Sequence, residues 1–332
     1  MKALIGIMVI IVLATLPAGA QNPNLGTSGA QFLEIPAGAR PSAIGGAVVA
    51  SVRDASALFW NPAGIVNVPS ADLHLSHTSW WASMSVTHAA VVLTDESFGS
   101  FGLSVALLSV DKMEVTTELE PEGTGQFFDA RDLMIGATYA RRLTEDFSVG
   151  VTAKYVNQRI WSQTASGVAF DIGTQYHVDF RDLTIGMSMT NFGGDMRYDG
   201  QELSVKYDAD PSMSYNRLTP ARLAGEDYAL PLRFQVGVSI MPVKLDDMSL
   251  LLEVDAVHPN DNDERLNVGG ELNILQYFNL RGGYRFGYDT ERATFGAGVD
   301  VPLGDLRVVI DYAYATYDLL PSINRFSLGI RF

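Results

Sequence analysis

Cysteine is absent from this 332-residue chain, so neither a disulfide framework nor a thiolate site can be built from it. Positive charge is scarce: 23 Lys and Arg stand against 38 Asp and Glu, a formal net charge of −15. So acidic a chain does not favour a nucleic-acid backbone, and no nucleic acid is expected among its partners. Long apolar runs are lacking as well. Past residue 70 no stretch is long enough to cross a bilayer as a helix, which takes ~20 apolar residues, although 47% of the chain is hydrophobic and 10% aromatic. No glycine-rich phosphate cradle follows a strand and opens a helix, and no cofactor is expected.

What is present begins with a leader. Lys2 precedes an apolar stretch at residues 3–16, then Pro17 and Ala18-Gly19-Ala20, the pattern of a secretory signal with cleavage expected after Ala20. The stretch is too short for a spanning anchor, and no Cys follows to carry a lipid. Residues 1–20 are therefore expected to be a signal peptide.

Beyond residue 70 the pattern has period two. In one segment Phe147, Val149, Val151, Ala153 and Tyr155 alternate with Ser148, Gly150, Thr152 and Lys154. The same split recurs at Leu133 to Tyr139, Phe234 to Ile240, Leu306 to Tyr312 and Phe326 to Phe332. Alternation alone also fits a soluble sandwich. Three features favour a membrane barrel. The segments run to about 10 to 13 residues, near the ~9 to 11 of a tilted spanning strand and longer than the ~5 to 6 typical of globular sheets. Aromatics gather at segment ends, at Trp80, Trp81, Tyr155, Trp161, Tyr284, Tyr288, Tyr312 and Tyr317, as in an interfacial girdle. Charges inside the segments, among them Lys154, Asp171, Glu253, Asp255, Arg281, Arg285, Asp300, Arg307, Asp311 and Arg331, mostly share the non-greasy parity.

The expected fold is all-β, a fourteen-stranded antiparallel transmembrane β-barrel over 71–332, with strands near 71–78, 82–94, 98–109, 130–141, 146–159, 166–178, 182–192, 230–241, 247–258, 264–274, 277–287, 292–301, 305–317 and 323–332. Tight turns should mark the periplasmic rim and longer loops, above all 193–230, the outside, which puts both termini on the periplasmic side. Residues 21–70 lack strand alternation. Irregular backbone survives at membrane depth only when buried in protein or lining a cavity, so they are expected to form a partly helical plug, or hatch, in the periplasmic half of the lumen. Its motif is Asp54, Phe59, Trp60, Asn61, Pro62 and Gly64: Asp54 can cap a helical turn, Pro62 drives Asn61 out of the α region, and Gly64 permits a left-handed close. Lipid-facing Val149 and Ile310 should resist charge, whereas lumen-facing Ser148 and Asp311 should tolerate it.

Four segments carry a family resemblance. Gly26-Thr-Ser-Gly-Ala-Gln-Phe-Leu33, Gly38-Ala-Arg40 with Ile44-Gly-Gly-Ala47, Asp54-Ala-Ser-Ala-Leu-Phe-Trp-Asn-Pro-Ala-Gly64 and Leu75-Ser-His-Thr-Ser-Trp80 resemble the N-terminal half of the PorV/PorQ family. That family is itself similar to FadL-type fatty-acid channels, which share the Trp-Asn-Pro-Ala-Gly type of hatch motif. The resemblance covers residues 25–80; beyond them only the strand rhythm agrees. It implies a fourteen-stranded outer-membrane barrel with an N-terminal hatch, associated with type IX protein secretion, whose relatives act as shuttles that accept cargo through extracellular loops. The final strand, ending at Phe332, resembles the C-terminal signal read by the outer-membrane assembly machinery.

Catalytic readings find little support. His74, His77, His88, His177 and His258 are the only histidines, and His74 and His77, an odd number apart, point to opposite faces of a strand. The acidic run at residues 260–264 lacks the central glycine and spaced glutamate of a calcium loop. The 193–230 connection is the candidate partner-binding loop, through Tyr198, Tyr207, Tyr215, Arg217, Arg222 and Tyr228, since Tyr and Arg dominate binding hot spots; Asp208, Asp210, Glu226 and Asp227 read as solvated charges. Expected partners are outer-membrane lipid, the assembly machinery, and secreted cargo or secretion components. The alternative is a FadL-like passive channel for hydrophobic small molecules, which should have an apolar lumen pocket and a lateral gap.

Overall fold

Strands whose apolar face has no covering layer must turn that face to lipid and close on themselves, because an open edge leaves backbone groups unpaired in hydrocarbon. The computed structural model, which describes residues 24–207 and 219–332, has this form. Its strands are β1 (Ala71–Ser79), β2 (Met84–Asp95), β3 (Gly99–Glu114), β4 (Phe127–Arg142), β5 (Phe147–Ile160), β6 (Gln163–Val178), β7 (Leu183–Gly193), β8 (Ser204–Tyr207), β9 (Thr219–Arg222), β10 (Arg233–Lys244), β11 (Met248–Pro259), β12 (Arg265–Ile274), β13 (Phe278–Phe286), β14 (Glu291–Leu303), β15 (Leu306–Tyr317) and β16 (Ile323–Arg331). Fourteen of them close into one barrel in chain order, with β7 beside β10 and β1 sealing against β16; β8 and β9 form a separate hairpin. Every barrel pair is antiparallel, as in Leu75 opposite Leu328 at the closing seam.

The expected register holds strand by strand. Val151, Ile135, Val238, Ile310 and Phe326 face outward and are exposed, while Lys154, Asp171, Glu253, Asp255 and Asp311 are buried on the inner parity. His74 is inward and buried, and His77 outward. Some aromatics expected in the girdle turn inward instead. Trp80 lies under the Arg325 guanidinium at 5.6 Å, and Tyr288 under those of Arg265 and Arg285 at 4.5 and 5.2 Å. Tyr317 shares the inner parity of β15 with Ala313 and Ala315 and packs edge-on to Trp81 at 4.7 Å. A buried guanidinium gains from an aromatic face, and Trp80 and Tyr288 supply one.

One rim carries only short connections, two to four residues each. At the other rim the length difference resides in two places, residues 115–126 and 194–232, whereas β5 and β6 meet there through only Trp161 and Ser162. The wall is uneven: β3, β4 and β6 have 16 residues each, while β1, β13 and β16 have nine.

Residues 30–69 form no barrel strand and are mostly buried. They contain 3₁₀ turns at Gln31–Glu34, Ala55–Phe59 and Pro62–Asn67 and a short helix, α1 (Ala39–Ala43). All pack against inner-parity strand residues. A Cβ at Gly173 would lie 2.0 Å from Asn61 Oδ1, and one at Gly150 2.4 Å from the Pro62 carbonyl carbon; the wall is glycine there because this segment touches it.

The segment does not stay in the half expected of it. Gly26 N donates to Asp261 O (3.1 Å) and Gly29 N to Ala229 O (2.9 Å), both at the long-loop rim, whereas Asp54 and Asn67 lie at the short-turn rim beside Arg331 and Arg142. The segment therefore runs the length of the lumen, and its first described residues emerge at the rim opposite Phe332. In the long-loop half Phe32 is buried in an apolar cluster with Met134, Val156, Met196 and Leu230. The expected signal peptide lies outside the described residues.

Candidate functional site

Inner-parity polar groups hold residues 37–69 by hydrogen bonds to their backbone. Asp255 Oδ2 accepts from Val48 N (2.8 Å) and Val49 N (3.0 Å), and Glu253 Oε1 from Ala50 N (2.7 Å). Gln175 Nε2 donates to Val52 O (3.1 Å) and Gln235 Nε2 to Gly46 O (3.0 Å). Arg285 Nε donates to Gly45 O (2.9 Å), Thr294 Oγ1 to Ala43 O (2.9 Å), and Ser327 Oγ accepts from Ala39 N (2.6 Å). A chain with little regular structure has orphan amides and carbonyls, and a buried orphan costs about 1–3 kcal/mol. These strand side chains supply partners that the segment cannot supply itself.

The motif residues sit in this seat. Asp54 caps the Ala55–Phe59 turn, accepting from Ser56 N at 2.9 Å, and pairs with Arg331 Nη2 at 3.2 Å. Burial alone would raise its carboxyl, but Arg331 and Arg40 outweigh that and hold it at about 2. Burial likewise disfavours the Arg40 charge, and Glu271 at 2.9 Å overcomes this and raises it above the ordinary guanidinium value. Asn61 caps the next turn by accepting from Ala63 N (3.1 Å), and its amide donates to Val49 O (2.7 Å) and to Thr174 O of the wall (3.0 Å). Trp60 Nε1 donates to Ala37 O (2.9 Å), and Phe59 packs edge-on to His88 at 5.1 Å. Gly64 takes no left-handed conformation. It sits inside the Pro62–Asn67 turn, and a Cβ would lie 2.3 Å from Val52 O, so close approach is what requires glycine. Asp311, expected to tolerate charge reversal, is bonded by Arg281 Nη1 at 2.6 Å, and an arginine there would face another.

The other half is held differently. Ala30, Phe32, Met134, Val156, Met196 and Leu230 belong to one buried apolar cluster, which joins the N-terminal segment, the tall β3–β6 wall and the long loop. Across the mouth the loop is tied in steps. Thr164 of β6 exchanges backbone bonds with Asp199 (2.8 and 2.9 Å), and Met196 with Tyr228 (both 2.9 Å). Ser28 bridges Ala229 in parallel, and Gln31 Nε2 donates to Asp261 Oδ2 of the β11–β12 turn at 2.7 Å. A strap thus runs from β6 past β7 and β10 to the β11–β12 turn. Below it, between Phe32 and Trp60, a cavity of about 20 Å³ remains, room for about one water. At the short-turn rim a cavity of about 220 Å³ is lined by Arg40, Arg53, Asp54, Glu271 and Arg331.

The loop residues divide. Tyr198 and Tyr228 stack at 5.8 Å beneath the strap, and the Tyr228 hydroxyl donates to Gln158 Oε1 at 3.0 Å. Burial, with Tyr198 beside it, raises the Tyr228 hydroxyl above its ordinary value. Tyr207 is exposed on β8, and Arg222 is exposed on β9 and paired with Asp199. Tyr215 and Arg217, with Asp208 and Asp210, lie outside the described residues. Phe332 is exposed at the short-turn rim, its amide donating to Ala71 O at 2.9 Å. The acidic run at residues 260–264 supplies Asp261, which anchors the strap and which sequence reasoning passed over.

Known proteins fit this architecture. The family model of the type IX secretion system protein PorV matches residues 18–209, well over half of the chain. The chain belongs to the PorV family. It is accordingly an outer-membrane β-barrel protein of type IX secretion. No curated protein matches the chain. Similar solved structures include a monoaromatic hydrocarbon channel, CymD, at 12% identity and TM-score 0.57, covering 88% of this chain and 96% of its own. The Ralstonia pickettii toluene transporter TbuX has 15% identity and TM-score 0.56, covering 89% and 98%. A Pseudomonas aeruginosa FadL homologue has 12% identity and TM-score 0.52, covering 95% and 99%. At such identities the likeness establishes the FadL-like barrel and not its cargo. The matched family and these structures are secretion and transport proteins rather than enzymes.

Proposed function

We propose that this PorV-family barrel works as a shuttle or scaffold that receives secreted cargo on its outer loops, with residues 21–70 as a plug whose inner part, 37–69, stays fixed and leaves no solute path through the lumen. The observation that supports the reading is the burial of most of residues 30–69 against the inner faces of the strands, seated by buried hydrogen bonds such as those of Asp255 and Glu253. The β8–β9 hairpin, which presents Tyr207 and Arg222, is then the first docking candidate on the outer face. The exposed Phe332 side chain is the feature offered to the assembly machinery.

The apolar cluster around Phe32 favours a second reading, a FadL-like channel whose greasy pocket is self-occupied. Deleting residues 204–222 separates the two. The shuttle reading expects a folded barrel that has lost capture of a secreted cargo domain, with uptake of hydrophobic solutes unchanged. Intact capture with lost uptake would instead establish the channel.

A further inference from the structure

Ser28 and Gly29 lie beside Ala229 at the long-loop rim in one isolated parallel bridge. Gly29 N donates to Ala229 O at 2.9 Å and Ser28 bridges Ala229 in parallel, so the N-terminal residues form the last member of the strap that begins at β6. The slot is selective. A Cβ at Gly29 would lie 2.1 Å from the Tyr228 ring, whose hydroxyl is tied to Gln158. Three residues on, Phe32 fills the buried apolar socket and is 4% exposed. Ala30, at φ 50°, makes the turn that carries the chain from slot to socket.

Outside the socket the occupant lies at the surface, Leu25 being 62% exposed, and its bonds include Gly26 N to Asp261 O, Gly29 N to Ala229 O, Ser28 Oγ to Asn260 Oδ1 at 3.4 Å and Gln31 to Asp261. None of the sockets that seat residues 37–69 reaches it. An edge held by backbone bonds and one aromatic anchor is the arrangement by which sheets accept extended peptides, and exposed edges are readily re-paired by another chain.

We propose that residues 24–32 are an exchangeable segment, and that an extended segment of the cargo, with glycine three residues before an aromatic, pairs with Tyr228–Leu230 in their place. The proposal rests on the reading that the outer loops receive cargo, and it makes the chain's own N-terminal strap the resident inhibitor of that docking.

The test uses the full-length folded protein and a fluorescent synthetic peptide with the sequence of residues 24–35. Gly29→Val pushes the resident strap off Tyr228 and should bind the peptide at least about tenfold tighter than wild type. Deleting residues 24–29, which leaves the inner seat intact, should give the same gain. The Ser28→Cys/Ala229→Cys pair, in a chain with no other cysteine, joins the two partners of the parallel bridge at a spacing that suits a disulfide. Its oxidised form should not bind the peptide, and reduction should restore wild-type binding. Equal binding by wild-type, opened and locked forms, or none by opened variants with folded-barrel mobility, would overturn the exchange. These arms contain no cargo, so their failure is separable from that of the docking reading, which the 204–222 deletion tests.

Discussion

The two stretches of the N-terminal segment occupy one lumen, and both sit in buried apolar clusters, but only the inner one is also seated by many side-chain hydrogen bonds to its backbone. Residues 37–69 are irregular backbone seated in polar side chains of β6, β10, β11, β13 and β14, with Asp255 alone accepting from two amides. Residues 24–36 are held by an apolar cluster, a parallel bridge and few polar anchors. A polar socket fixes register, since a one-residue slip orphans several buried groups at once, each costing about 1–3 kcal/mol. An apolar socket accepts any side chain of suitable size and shape. The inner stretch is thereby built to stay and the outer one to be replaced.

Four tests would break or sharpen this contrast. The largest effect is expected from Asp255→Ala, which orphans the amides of Val48 and Val49 and should cost about 2–6 kcal/mol. Denaturant unfolding of the detergent-solubilised barrel measures it; a loss below 1 kcal/mol would mean that the inner seat is not held this way. Next, Ile310→Arg on the lipid face should cost about 2–4 kcal/mol at the bilayer midplane, while Ser148→Arg, on the inner parity beside a rim cavity lined by Glu145 and Asp146, should insert nearly as wild type. Equal insertion defects would refute the register. Phe32→Ala should cost about 2 kcal/mol, below the ~3–5 of a closed core, because the strap can relax. A cysteine at Leu25 should then label faster from outside intact cells, while one at Asp54 stays unlabelled; rapid labelling at Asp54 would sink the plug. The smallest effect is that of Arg222→Ala, an exposed pair worth less than about 1 kcal/mol, whose expected consequence is weaker cargo capture with unchanged thermal mobility.

Much of the barrel was legible because a closed sheet between lipid and a filled lumen imposes a two-residue period on nearly every strand. Val149 and Ile310 had to be apolar, and Lys154, Glu253 and Asp311 had to share the other parity. The site was legible only in part. Asp54 and Asn61 read as caps from local chemistry, and they are caps. Gly64 read as a left-handed residue because only its neighbours in sequence were visible; its constraint comes from Val52 O, twelve residues earlier. Trp80 and Tyr288 read as girdle residues because interfacial and lumen aromatics have the same composition, and only the inward arginines distinguish them.

By itself the sequence determined the class of the molecule, the strand register, the face each side chain presents and the family, because all of these follow from local periodicity and from contiguous motifs. Only the tertiary structure decided that the N-terminal segment runs from rim to rim, that Tyr228 closes over Gly29, and that Asp261 ties the strap to the β11–β12 turn. Those facts join residues more than 190 positions apart, and no local pattern records which distant side chain will satisfy a given amide once the barrel closes around it.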